Sequence, residues 1–217
     1  MGYILGIASQ KGGVGKSTLA RLIAREAAQA GLSVKIADLD TAQTTSVKWA
    51  ARRAEHGFEP AIRAEVLSSV KTGLGEASSF DLYIFDGAPH SSRQTLEVAK
   101  SADMMVIPTS EGIDDLEPAV VLANDLREGG VDPDGIAFAL CLVGDSEREL
   151  EGAKRYLSKT PYSVLDGEIP FRTGFKIALD KGKAITETSF PKLRLRADAM
   201  AQSIIDAIAD ASERKVA

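Results

Sequence analysis

The sequence predicts an α/β fold: a doubly wound, mostly parallel sheet flanked by helices. Two observations predict it. Short, nearly continuous aliphatic runs alternate with longer helix-like segments from end to end, and such runs are strands buried on both faces of a parallel sheet. The first run also passes into a glycine- and lysine-rich loop that opens directly into a helical segment, the arrangement in which an anion meets a helix N-terminus.

The elements follow in order. Residues 3–8 read as the first strand and 17–30 as the helix behind the loop, ended by Gly31. Residues 33–37 form the second strand, and 44–56 a helix closed by Gly57, where glycine relieves left-handed strain. Further strands are predicted at 62–66, 82–85, 104–108, 136–143 and 164–169. The intervening helices are 91–101, 115–128, 147–158 and 174–181, and a helix over 192–212 closes the chain. This βαβα alternation puts helices on both faces of the sheet and ligands at the carboxyl ends of its strands. No repeat, low-complexity tract or linker interrupts the 217 residues, so a single domain over 1–217 is expected.

Composition narrows the function. A net charge of −5 argues against coating nucleic acid by bulk charge, though a local basic face remains open. One cysteine, Cys141, excludes an internal disulfide framework and fits a reducing cytoplasm. No run reaches the ~18 apolar residues of a spanning helix, and the apolar start is too short for a signal peptide. A cytoplasmic protein is expected.

The loop reads Ser9-Gln10-Lys11-Gly12-Gly13-Val14-Gly15-Lys16-Ser17-Thr18. Its glycines let backbone N–H groups turn toward an anion without Cβ clashes, and the helix start adds partial positive charge. Lys16 is placed to reach the β- and γ-phosphates and Ser17 to ligate Mg²⁺. Gln10 stands where the general G-x-x-x-x-G-K-[ST] pattern has its first glycine, and an additional lysine, Lys11, heads the loop. ATP binding and hydrolysis is the expected chemistry, with Gly12, Gly13, Val14, Gly15, Lys16, Ser17 and Thr18 as the nucleotide-binding set.

Lys-Gly-Gly-Val-Gly-Lys-Ser-Thr resembles the deviant P-loop of the ParA/MinD family of ATPases, and the resemblance continues along most of the chain. It implies a P-loop NTPase fold and an ATP-dependent homodimer in which Lys11 reaches the nucleotide of the partner subunit. Asp38-Leu39-Asp40 resembles the family's D-x-D-P-Q motif, with Thr41-Ala42 in place of one proline. The resemblance implies that Asp40 positions or deprotonates the attacking water and that Asp38 supports the Mg²⁺ region; a capping role for Asp40 is the alternative. Asp86, ahead of Gly87-Ala88-Pro89, matches the metal-side carboxylate that follows a buried strand and is expected to hold the metal through a water. Val106-Ile107-Pro108 is similar to a segment lining the site, and Glu168-Ile169-Pro170-Phe171-Arg172 to a stretch whose proline contacts adenine. Leu142-Val143-Gly144-Asp145 lacks an N-K-x-D pattern, so guanine specificity is unsupported.

Three uses of ATP compete. A ParA-type partition or cargo-positioning ATPase would bind nonspecific DNA and be released by a ParB-like or cargo-adaptor partner. Its basic face would comprise Arg172, Lys176, Lys181, Lys183, Lys192, Arg194 and Arg196, since phosphate neutralisation needs no base-reading motif. Such a protein would be nucleoid-associated in its ATP state. A MinD-like membrane switch needs a bulky amphipathic C-terminus, whereas 200–217 carries small residues and acids without aromatics. A metabolic ATPase is the third: a cluster reductase lacks its second cysteine, and a ligase lacks substrate-binding insertions. The loop's position at residue 11 places the chain, by resemblance, with short forms that carry no N-terminal helix-turn-helix. Trp49, His56 and His90 are read as core or solvated positions.

Overall fold

The computed structural model describes residues 2–88 and 92–216. The predicted residues Pro89 and His90 lie outside the described residues. Eight strands run β1 (Tyr3–Ile7), β2 (Val34–Asp38), β3 (Arg63–Val66), β4 (Leu82–Asp86), β5 (Met104–Thr109), β6 (Ile136–Val143), β7 (Ser163–Val164) and β8 (Ile169–Pro170). The helices are α1 (Lys16–Gln29), α2 (Thr45–Glu55), α3 (Val70–Ala77), α4 (Ser92–Ser101), α5 (Ile113–Glu128), α6 (Glu147–Leu157), α7 (Thr173–Asp180) and α8 (Pro191–Val216).

The sheet order is β3-β2-β4-β1-β5-β6-β7, with β8 also paired to β6, and the strand pairs among the described residues are parallel. β1 lies mid-sheet. The chain moves to one side of it for β2 and β3 and to the other from β5 onward, so the end of β1 is a topological switch point.

Two apolar layers sandwich the sheet. One joins Leu19, Leu22 and Ile23 of α1 with Met200, Ile204 and Ile208 of α8 over Leu5, Ile36 and Ile84. The other packs Val70, Val98, Leu116, Leu122, Leu126 and Leu157 over Tyr83, Phe85, Ile107 and Phe138. Full burial of each such side chain contributes about 1.5–3 kcal/mol, and the nearly unbroken aliphatic strands are the sequence record of this two-sided burial.

The structure differs from the predicted elements at three places. Residues 70–77 form α3, a helix absent from the predicted elements; Gly73 and Gly75 within it weaken helix propensity. Gly73 is there for space: a Cβ would stand 2.6 Å from the Phe85 ring. The strand predicted at 164–169 is instead two short strands, β7 and β8, because Gly167 turns the chain between them at φ +83. The final helix also runs four residues beyond the expected end at 212.

Candidate nucleotide site

The glycine loop lies between the end of β1 and α1, at the switch point. Gly15 is the residue before α1 and adopts φ +111, a conformation open to glycine but strained for any other residue. A Cβ there would also press within 3.2 Å of Cβ of Cys141, which packs beneath the loop. Burial pushes that thiol up to about 12, so Cys141 is an inert core residue. With no side chain capping α1, the first N–H groups of the helix stay available for an anion.

Around the loop is a cavity of about 250 Å³ lined by Gly12, Gly13, Gly15, Lys16, Ser17, Thr18, Arg21, Asp40, Gln43, Thr45, Gly87 and Leu142. Val14 is buried and faces away from it. The ammonium of Lys16 donates to the carbonyl of Lys11 across the loop at 3.1 Å. Burial lowers the Lys16 pKa, and Asp86 and Asp40 oppose the shift by their charge. Ser17 Oγ lies 3.0 Å from Thr45 Oγ1, which ties the loop to the start of α2.

Asp86 ends β4 and is 2 % exposed. Its Oδ2 accepts from the Ser46 hydroxyl at 2.7 Å, while its buried Oδ1 has no hydrogen-bond partner. Burial raises its pKa to about 6 against the hydroxyls of Ser46 and Ser17. The next residue, Gly87, donates its N–H to Ile7 at 2.9 Å, and a Cβ would stand 2.7 Å from that oxygen. The aspartate-glycine pair therefore lets the chain after β4 close against β1.

Asp38 and Asp40 part company. Asp38 is fully buried; Oδ1 accepts from the Asp40 N–H and Oδ2 from the N–H groups of Ser46 and Val47. Both oxygens serve backbone amides, so Asp38 holds the first turn of α2 and is not among the residues that line the cavity. Burial raises its pKa and those amides oppose the rise. Asp40 does line the cavity, and its Oδ1 also accepts from the N–H groups of Ala42 and Gln43. That residue both borders the cavity and caps the turn into α2. Thr44 then enters α2 at φ 50, in the left-handed region.

A Mg²⁺ ion fits this set. The orphaned Asp86 oxygen and the Ser17 hydroxyl are hard oxygen groups of the kind that would hold Mg²⁺ alongside water and phosphate. Among the described residues no cluster of three or more His, Cys, Asp or Glu could hold a metal alone.

Lys11 points elsewhere: its ammonium donates to Asp115 Oδ1 at 2.6 Å, and Ser110 holds the other oxygen at 2.5 Å. Pro170 lies in β8, on a separate cavity of about 240 Å³ lined also by Val143, Gly144, Asp145, Arg172 and Lys192. The sequence reading missed Asp115, Thr45, Ser46, Arg21 and Leu142. Asp115 carried a signal, since it follows the carboxyl end of β5; Leu142, in a left-handed conformation at φ 58, carried none.

The late basic residues are unequal. Arg172 pairs with Asp145, Arg196 with Glu168, and Arg194 donates to the carbonyl of Thr188. Lys183 lies over the Phe58 ring. Lys176, Lys181 and Lys192 are exposed, beside the exposed apolar side chains of Phe171, Ile177, Phe190 and Leu195. No helix among the described residues is long and apolar enough to cross a membrane.

Residues 5–185 match the CobQ/CobB/MinD/ParA nucleotide-binding domain family. The chain belongs to this family. The match covers the glycine loop, both aspartate-bearing strand ends and β8. No curated protein matches the chain in sequence. Among solved structures, it is similar to the MinD septum-site protein of Pyrococcus horikoshii in complex with Mg-ADP: TM-score 0.76, 16% identity, covering 94% of this chain and 96% of that one. It is similar to McdA(D38A) of Cyanothece with ATP, with a TM-score of 0.72, 15% identity, and coverage of 94% and 96%. A putative plasmid partition protein of Borrelia burgdorferi bound to AMPPNP gives a TM-score of 0.69 at 15% identity, covering 95% and 99%. These likenesses show that the CobQ/CobB/MinD/ParA chain described here has the MinD and ParA fold.

Proposed function

We propose that this protein is a ParA-like ATPase whose ATP state is a homodimer bound to nonspecific DNA, used to position or segregate a cargo. The observation that carries the reading is the convergence of Lys16, Ser17, Asp40 and the loop glycines on one cavity, in a loop whose sequence begins with a second lysine, Lys11. In this reading the loop N–H groups and Lys16 hold the phosphates of ATP. Mg²⁺, when bound, would neutralise charge between the β- and γ-phosphates. Ser17 and the free oxygen of Asp86 are the groups of this chain that would hold it. Asp40, at the cavity wall, orients the attacking water and accepts its proton. Lys11 leaves Asp115 to reach the partner subunit's nucleotide, and Pro170 borders the adenine.

One neighbour of the same fold, described as a putative plasmid partition protein, supports the cargo reading. Among the late basic residues, Lys176, Lys181 and Lys192 are exposed and can meet phosphates without first breaking an ion pair found in this structure. A ParB-like or adaptor partner would stimulate the slow hydrolysis and end the bound state.

The test is co-sedimentation of Asp40→Ala protein with DNA of arbitrary sequence in ATP, in ADP and without nucleotide. Retention in ATP alone, lost at high salt, is the expected result. An ATP-dependent dimer that ignores DNA in every state would overturn the DNA assignment and leave the ATPase reading standing.

A further inference from the structure

The groups around Asp86 include two that nothing in the loop motif requires. Arg21 lies one turn after Ser17 on α1, on the same helix face, and lines the phosphate-loop cavity. Its Nε donates to Ser46 Oγ at 3.3 Å. Ser46, on the first turn of α2, is fully buried and donates its hydroxyl to Asp86 Oδ2 at 2.7 Å. The backbone N–H of the same serine donates to Asp38 Oδ2 at 2.9 Å.

We propose that Arg21 and Ser46 are positioning residues for the metal-side carboxylate: Arg21 commits the Ser46 hydroxyl to one oxygen of Asp86 and leaves the other free for Mg²⁺. The inference rests on the ATP–Mg²⁺ reading above and deepens it.

The argument is one of donors and acceptors. A serine hydroxyl has one proton and two lone pairs, whereas a guanidinium donates only. Facing Arg21, the Ser46 oxygen is obliged to accept, so its single proton is directed to Asp86. Burial of Ser46 and Asp86 shields that hydroxyl from bulk solvent. Each member is braced from behind: Ser46 by Asp38 through its backbone, and Arg21 by the Trp49 ring, 5.8 Å from the guanidinium carbon. The result is a carboxylate with one oxygen fixed and the other without a partner. Mg²⁺ gives up its waters reluctantly, so a carboxylate already held in place would hold the ion and its bridging water better than one free to rotate. Outer-shell partners of this kind typically change metal affinity by about 10–100-fold.

The test is a Mg²⁺ titration of the ADP-saturated protein, read by calorimetry and by the fluorescence of Trp49, the one tryptophan of the chain. Wild type, Ser46→Ala, Arg21→Gln and the double variant are compared, with ADP affinity also measured in EDTA. Ser46→Ala removes a single oxygen and keeps the Asp86 charge. The Mg²⁺ concentration at half-saturation should rise about 10-fold, while metal-free ADP affinity moves less than about 2-fold. Arg21→Gln should raise it in the wild-type background and add nothing in the Ser46→Ala background, the behaviour of one residue acting through another. An unchanged Mg²⁺ requirement in Ser46→Ala overturns the proposal, as does an equal loss of metal-free ADP binding. Additive single effects would overturn the dependence of Arg21 on Ser46. Should Arg21→Gln not fold, the Ser46→Ala arm decides alone. A wild-type protein whose nucleotide binding ignores Mg²⁺ would instead remove the ATP–Mg²⁺ reading itself.

Discussion

The ammonium of Lys11 stands 2.6 Å from a carboxylate oxygen of Asp115, in the first turn of α5. The lysine proposed to act on a second subunit's nucleotide is thus held within its own chain. Both side chains are partly exposed, at 39% and 28%, so the ion pair contributes no more than about 1 kcal/mol to stability. Lys11 and then Ser110 hold the Asp115 carboxyl below its usual range. Stability from a depressed carboxylate is present above the unfolded pKa and lost as pH falls through the folded one. The contact therefore persists at neutral pH and fails only in acid.

Asp115→Asn removes the charge that restrains Lys11 while keeping a similar shape. The melting temperature should move by no more than a few degrees. Dimerisation in ATP, measured by sedimentation equilibrium of a hydrolysis-deficient background, should tighten severalfold. Weaker dimerisation would show that Asp115 serves the dimer and does not restrain Lys11.

Lys16→Ala should abolish nucleotide binding, with a loss of at least about 100-fold, the scale of a charge-assisted contact in a buried site. Folding should survive, because Lys16 is a buried cation whose one hydrogen bond goes to the carbonyl of Lys11. Isothermal titration with ATP beside a thermal melt separates the two outcomes. Retained binding near the parental affinity would displace Lys16 from the phosphate site.

For Asp40 two variants divide two jobs. Asp40→Asn keeps an oxygen for the N–H groups of Ala42 and Gln43, whereas Asp40→Ala loses that cap at a cost of about 1 kcal/mol. Single-turnover hydrolysis should fall by about 10²–10⁴-fold in both if the carboxylate acts as general base. ATP binding should persist in both. A parental rate in Asp40→Asn would leave Asp40 with its turn-capping role alone.

Asp86 sets a pH dependence of stability. Its pKa in the folded protein is raised from 3.8 to about 6, so between those values the native state binds the extra proton. The metal-free protein should therefore lose stability as pH rises from about 4 to about 6, by up to about 3 kcal/mol from this group. Urea melts at several pH values, with Asp86→Asn as control, check the sign. The same slope in the Asn variant would assign it to other groups.

Much of the site was legible in the sequence because its motif is local. Lys11, Lys16, Ser17 and the loop glycines are neighbours in the chain, and Asp40 and Asp86 stand at the ends of aliphatic runs that must be strands. Asp38 was legible as a site residue but not in its role, since its amide partners at Ser46 and Val47 become visible only when the start of α2 is in place. The α3 helix was hidden by glycines that the Phe85 ring requires.

By itself, then, the sequence determined the phosphate loop, the parallel sheet and the family, since each is written in residues close along the chain or in strands buried on both faces. Only the tertiary structure decided what those residues touch. Arg21 meets Ser46 across 25 residues, Ser46 meets Asp86 across 40, and Lys11 meets Asp115 across 104. No periodicity or spacing encodes those meetings. They arise because a doubly wound sheet brings the ends of β1, β2, β4 and β5 to one edge, where side chains distant in sequence share hydrogen bonds and charge.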